Sequence, residues 1–170
     1  MKIILLGYMG VGKTSLSKKL SKKTRIPCFD LDEIIEKSEN SSISSIFKER
    51  GEVYFRKIEH QLFKDFIEKE ENFILSLGGG TACYANNHLF LQKEDIISIY
   101  LKASIENLTD RLKKKREKRP LLKNLTEDEL QEYVAKHLFD RNYYYQNSKL
   151  TVVVDGKSKK EIVKEILQLI

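Results

Sequence analysis

Apolar residues follow two rhythms along this chain. Five short segments are almost continuously apolar: residues 2–6, 26–30, 73–77, 96–101 and 150–154. Between them apolar residues recur three or four apart among charged ones, which predicts helices over 13–23, 31–38, 43–50, 51–69, 104–115, 126–147 and 158–169. In the stretch 51–69, for example, Phe55, Ile58, Leu62 and Phe66 fall on one helical face. A strand with no polar face must be covered on both sides, so continuous apolar strands alternating with helices predict a parallel sheet between helical layers. The expected architecture is α/β: a three-layer α/β/α arrangement around a central parallel five-stranded sheet. Ser41-Ser42 and Ser44-Ser45 have the composition of helix caps. There is no internal repeat, low-complexity tract or Pro/Gly-rich linker, and 170 residues suit one domain over 1–170.

In such a sheet, ligands bind beyond the carboxyl ends of the strands. The informative polar residues lie there. The first strand, Lys2-Ile3-Ile4-Leu5-Leu6, runs into Gly7-Tyr8-Met9-Gly10-Val11-Gly12-Lys13-Thr14, which fits the pattern G-x-x-x-x-G-K-[ST]. Strand, glycine loop and helix are the context that pattern requires. Its glycines let backbone N–H groups approach phosphate oxygens, and the following helix points its positive dipole end at the same anion. Lys13 is placed to reach the β/γ-phosphates, and the Thr14 hydroxyl to help hold Mg²⁺. A chance match in a chain of this length arises on the order of once in a hundred, and the correct flanks make it rarer. A nucleoside triphosphate site is expected. The second strand ends in Asp30-Leu31-Asp32 and the third in Gly78-Gly79-Gly80-Thr81. Taken alone, the first could be a helix N-cap and the second a turn; their shared location at strand ends favours function.

Composition changes the picture little. The hydrophobic content of 41% and charged content of 33% are those of a globular protein. The net charge of +6 raises the possibility of nucleic-acid binding. However, the lysines spread over several helices without interleaved aromatics, and a basic field equally suits anionic small molecules. One run, Lys113-Lys114-Lys115-Arg116-Glu117-Lys118-Arg119, repels itself unless an anion is near, as a lid closing over phosphates would be. No apolar run approaches bilayer length. Met1 leads directly into the first strand, so a cleavable signal peptide is not expected. Cys28 and Cys83 have no metal-ligand spacing and fit a reducing compartment, so a cytoplasmic location is expected. His60, His88 and His137 fall in separate segments with neither metal nor triad spacing.

Taken in order, these elements resemble the shikimate kinase family over nearly the whole chain. The resemblance rests on Gly7–Thr14; on Phe29-Asp30-Leu31-Asp32 followed by Ile34-Ile35-Glu36; and on Gly51-Glu52 followed by Phe55-Arg56-x-x-Glu59. It continues through Ser76-Leu77-Gly78-Gly79-Gly80 and Arg119-Pro120-Leu121-Leu122, with Arg141 and Tyr145 completing the set. It implies a P-loop kinase fold with a substrate-binding region at about 31–60 and a mobile lid at about 112–124. The implied reaction is transfer of the ATP γ-phosphate to the 3-hydroxyl of shikimate by a cytoplasmic monomer using Mg²⁺, with neither nucleic acid nor membrane as partner.

The resemblance also implies roles. Lys13, Asp32 and Arg119 form the catalytic set, with Asp32 accepting a hydrogen bond from the attacking hydroxyl and Arg119 touching the transferring phosphate. Gly10, Val11, Gly12, Lys13, Thr14 and Ser15 hold the nucleotide, and Arg111 stacks on adenine. Thr14 and Asp30 serve Mg²⁺. Arg56 and Arg141 clamp the shikimate carboxylate, Glu59 orients Arg56, and Gly78, Gly79 and Gly80 bring backbone to the substrate. The chain departs from the family pattern at Ser17, where glycine is usual, and at Tyr143-Tyr144, where proline and leucine are usual. Two other functions fit the phosphate loop: a kinase for another small acceptor, such as gluconate or a nucleoside monophosphate, and a regulatory ATPase without an acceptor. Asp32, Arg56 and Glu59 suit a small hydroxylated acid better than a base.

Overall fold

A computed structural model describes residues 1–114, 122 and 124–170. The chain runs β1 (Lys2–Leu6), α1 (Lys13–Thr24), β2 (Cys28–Asp30), α2 (Leu31–Glu39), α3 (Ile43–Lys69) and β3 (Phe73–Ser76). After two 3₁₀ turns, Thr81–Cys83 and Asn87–Gln92, come β4 (Ile96–Lys102), α4 (Ile105–Lys113), α5 (Glu127–Tyr145), β5 (Leu150–Val153) and α6 (Lys159–Leu169). The five strands form one parallel sheet in the order β2-β3-β1-β4-β5. Ile3, Ile4 and Leu5 in β1 are all 0% exposed. Successive strand residues point to opposite faces, so both faces of the central strands are covered, as their continuous apolar character predicts.

The register aligns the strand ends that carry chemistry. Leu5 of β1 lies beside Ser76 of β3, and Ser76 in turn lies beside Asp30 of β2. The phosphate loop, the Asp-x-Asp and the glycine triplet therefore leave one edge of the sheet together. β2 begins at Cys28, two residues later than the apolar run predicts. Pro27 has no N–H to donate, and β2 is an edge strand, where that loss is tolerated.

The predicted helices 43–50 and 51–69 are one element, α3, broken at Gly51 with φ 80° and ψ 174°. Only glycine adopts that backbone readily, so the residue taken as a boundary is a kink. Ser42 caps α3 by accepting from Ser45 N, while Thr126 and Ser158 form capping boxes with Glu129 and Glu161. Ser17 is 2% exposed and donates its hydroxyl to Thr14 O at 2.9 Å, so it fits the packed side of α1 without disturbing the loop. The expected lid at 112–124, and Arg119 within it, fall largely on residues 115–121 and 123, which lie outside the described residues. Among the described residues no helix is long and apolar enough to cross a membrane.

Candidate active site

The phosphate loop is held from below and from the side. Gly7 has φ 140°, and a Cβ there would meet Leu101 O of β4 at 2.6 Å, so the loop can leave β1 only through glycine. Gly12, at φ 108°, is the N-cap of α1 and aims the first N–H groups of that helix into the loop. Lys13 lies back across the loop, its Nζ donating to Gly7 O at 2.8 Å and Tyr8 O at 3.2 Å. Ser15 Oγ donates to Gly12 O at 2.9 Å. Val11 is buried, so it offers a ligand backbone only. Arg111 reaches over from α4 and donates to Val11 O at 2.7 Å, which sets a guanidinium at the rim of the loop.

At the end of β2 the N-cap reading of the Asp-x-Asp holds, and the same aspartate also faces the phosphate loop. Asp30 is the N-cap of α2, its Oδ1 accepting from Asp32 N at 3.1 Å. Its Oδ2 accepts from Thr14 Oγ1 at 2.7 Å. A hydroxyl and a carboxylate thus meet beside the phosphate loop. Among the described residues no group of three His, Cys, Asp or Glu side chains is placed to hold an ion. Two hard oxygen donors fit Mg²⁺, which keeps several waters and binds through one or two carboxylates plus substrate phosphates. Asp32 follows in the first turn of α2. Burial, then the charges of Asp30 and Glu59, push its carboxyl up from 3.8 to about 6, against the opposing pull of Lys13.

The opposite wall carries the arginines. Arg56 on α3 donates to Glu59 Oε2 at 2.7 Å, lies within 3.4 Å of Glu52, and covers the Tyr84 ring at 4.0 Å. Glu59 is 1% exposed and accepts also from Thr81 Oγ1 at 2.6 Å, so this buried carboxylate is paired on both oxygens. Arg141 on α5 donates to Gly79 O at 3.3 Å and stands 5.5 Å from the centre of the Tyr8 ring. Tyr145, one turn further on, donates its hydroxyl to the same carbonyl.

The glycine triplet lets these groups converge. A Cβ on Gly78 would lie 3.0 Å from Asp32 Oδ1, on Gly79 3.2 Å from Met9 N, and on Gly80 2.9 Å from Arg56 Nη2. The cleft between the walls has a volume of about 440 Å³ and is lined by Gly10, Gly12, Lys13, Thr14, Ser15, Asp30, Asp32, Gly78, Gly79, Gly80 and Arg141, with Met9 and Leu77. Of the residues expected in the site, Val11, Arg56 and Arg111 stand behind this lining, and Arg119 is outside the described residues. Thr81 and Tyr84 were not foreseen. Thr81 directly follows the glycine triplet, which is a usable signal; Tyr84 has none. The three histidines are apart: His60 pairs with Asn87, His88 packs between Tyr143 and Tyr144, and His137 meets Tyr8. The Cys83 thiol, near both arginines, is pushed up by burial to about 11.

Comparison with known proteins agrees with this geometry. The family model described as shikimate kinase matches residues 9–170. A shikimate kinase of Flavobacterium psychrophilum is 58% identical over 169 residues, covering 99% of this chain and 98% of its own. Two solved structures superpose closely. A shikimate kinase from Bacteroides thetaiotaomicron has TM-score 0.91 and 30% identity, covering 99% of this chain and 97% of that one. One from Acinetobacter baumannii in complex with shikimate has TM-score 0.86 and 28% identity, covering 99% and 91%. With a family match over almost its full length and a relative that shares more than half its residues, this chain belongs to the shikimate kinase family.

Proposed function

We propose that the chain transfers the γ-phosphate of ATP to the 3-hydroxyl of shikimate, giving shikimate 3-phosphate and ADP, a step of aromatic amino-acid biosynthesis. The observation that carries this reading is the polarity of one cleft. A phosphate loop with Lys13 forms one wall, Arg141 lines the other with Arg56 set behind the Gly80 backbone, both suited to a carboxylate, and Asp32 shares the cleft with them.

Phosphoryl transfer is mostly positioning and charge stabilisation. Loop N–H groups and Lys13 cradle the phosphates, and Arg111 flanks the nucleotide from α4. Thr14 and Asp30 would hold Mg²⁺, which would supply charge neutralisation for the transferring phosphate. To serve the phosphates, Lys13 exchanges its contacts with the Gly7 and Tyr8 carbonyls for phosphate oxygens. Arg56, fixed by Glu59, and Arg141, fixed on Gly79, bind the shikimate carboxylate with their planar forks. That fixes the ring and presents its hydroxyl to Asp32, which orients it and takes its proton late in the transfer. A carboxyl near pH 6 is ionised at neutral pH yet basic enough to accept that proton. On the family resemblance, we assign Arg119 to the transferring phosphate. The protein acts as a cytoplasmic monomer of one domain.

The test is ADP release with Mg²⁺ and ATP, measured without acceptor, with shikimate and with a nucleoside monophosphate. Release that depends on shikimate is expected. A rise with the nucleotide alone, or release indifferent to any acceptor, would make this a different enzyme.

A further inference from the structure

The mechanism above leaves one contact without a purpose. Tyr8, in the phosphate loop, is 1% exposed, and its hydroxyl meets His137 Nδ1 at 3.1 Å. His137 lies on α5 one helical turn before Arg141, so both side chains leave the same face of the helix. Arg141 stands against the ring of that same tyrosine. The tyrosine backbone meanwhile accepts from Lys13 Nζ and from Val11 N, so Tyr8 is tied to the nucleotide side through its main chain and to the acceptor side through its ring.

We propose that His137 is a positioning residue for the acceptor: by anchoring the Tyr8 hydroxyl it holds the ring against which Arg141 is set, and so fixes the guanidinium that binds the shikimate carboxylate. Three observations make the anchor specific. The Tyr133 ring packs on His137 with centroids 4.1 Å apart and planes at 58°, which fixes the imidazole's orientation. The groups facing His137 are Tyr8 from the loop and Tyr133, Lys136, Asp140 and Arg141 from its own helix. Burial, then Arg141, hold the imidazole below its usual range, outweighing Asp140, so it is neutral at pH 7. A neutral ring has one donor and one acceptor nitrogen, and the Tyr8 hydroxyl can pair with Nδ1 in either tautomer. A second cation beside Arg141 is thereby avoided, which keeps the Arg141 charge available to the substrate. The inference rests on the shikimate kinase reading and extends it to residues outside the cleft lining.

The experiment compares His137→Leu, His137→Asn, Tyr8→Phe and the Tyr8→Phe/His137→Leu double variant with the unaltered chain. The KM for each substrate, kcat and the melting temperature are measured. Leucine keeps the bulk of the imidazole without a polar atom, and Asn places a polar atom where Nδ1 lies. His137→Leu and Tyr8→Phe should each raise the shikimate KM by about three- to tenfold, the scale of one hydrogen bond supporting a charged contact. The ATP KM should stay within about twofold on the same scale, the Asn variant should recover part of the loss, and the double variant should cost no more than either single change. Unchanged shikimate KM in both single variants overturns the inference. So do additive losses in the double variant, or KM values for both substrates rising together with a lowered melting temperature. Failure of the underlying reading looks different: the unaltered chain would not use shikimate at all, and the inference would fall with it.

Discussion

Asp32 carries the largest functional consequence of a single environment. Its carboxyl is raised to about 6 by burial and by the neighbouring carboxylates of Asp30, Glu59 and Glu36, so the rate should show an acid limb near that value. The sign for stability is the reverse of the usual salt-bridged aspartate. Between pH 3.8 and 6 the folded state keeps the proton while the unfolded state has lost it, so stability falls as pH rises through that window and the cost is fully present above it. Asp32→Asn should therefore lower kcat by about a hundredfold or more and yet raise the melting temperature at pH 7. The gain is bounded at about 3 kcal/mol and should fade as the pH falls from about 6 to 4. An unchanged kcat would remove Asp32 from the catalytic set. Glu59 offers an independent check, because its charge also raises Asp32. Glu59→Gln should shift the acid limb of kcat to lower pH and raise the KM for shikimate, since Arg56 loses its 2.7 Å partner. An acid limb that does not move would mean that another group sets it.

At the scale of elements, the helices are held by ordinary devices and the loops by unusual ones. Ser42→Ala should cost about 1 kcal/mol, the worth of one N-cap, visible in chemical denaturation with kinetics unaltered. Glycine substitutions should divide by position. A Cβ on Gly51 meets nothing within 4 Å, but its φ of 80° strains any side chain, so Gly51→Ala should lower stability by roughly 1–2 kcal/mol. Gly79 has no positive φ; there a Cβ would press on Met9 N at 3.2 Å and would lie in ordinary contact with Arg141 at 3.6 Å. Gly79→Ala should therefore spare most of the stability and depress kcat/KM, because the added atom wedges the phosphate loop away from the acceptor wall. If calorimetry and kinetics showed the two glycines behaving alike, this division would be wrong.

At the scale of the molecule, the parallel sheet makes the site. Every βα connection leaves the same edge, so residues from β1, β2 and β3 meet there regardless of how far apart they lie in sequence. On the proposed reading, Mg²⁺ is a cofactor of turnover and not of the fold. Two oxygen donors from Thr14 and Asp30 do not make a structural site, and no larger cluster exists among the described residues. Chelation of Mg²⁺ should abolish turnover while leaving the melting temperature of the ligand-free protein unchanged. Adding Mg²⁺ and ATP at about a hundred times Kd should stabilise it by about 2.7 kcal/mol through linkage alone. A melting temperature that fell on chelation would point to an ion built into the fold.

Much of this was legible in the sequence because it depends on local pattern. Continuous apolar runs are possible only for strands covered on both faces, and a glycine-rich turn between strand and helix has few other uses. Gly7–Thr14, Asp30, Asp32 and Gly78–Gly80 could therefore be assigned to one sheet edge before any coordinates. What the sequence could not decide are contacts between distant residues that follow no periodicity. Thr81 meets Glu59 across 22 residues, Tyr145 meets Gly79 across 66, and Tyr8 meets His137 across 129. Local pattern says which residues can form a strand end or a cap. The packing of α3 and α5 against the far side of the cleft decides which buried side chain takes which partner, because a buried polar group must find one in the folded chain.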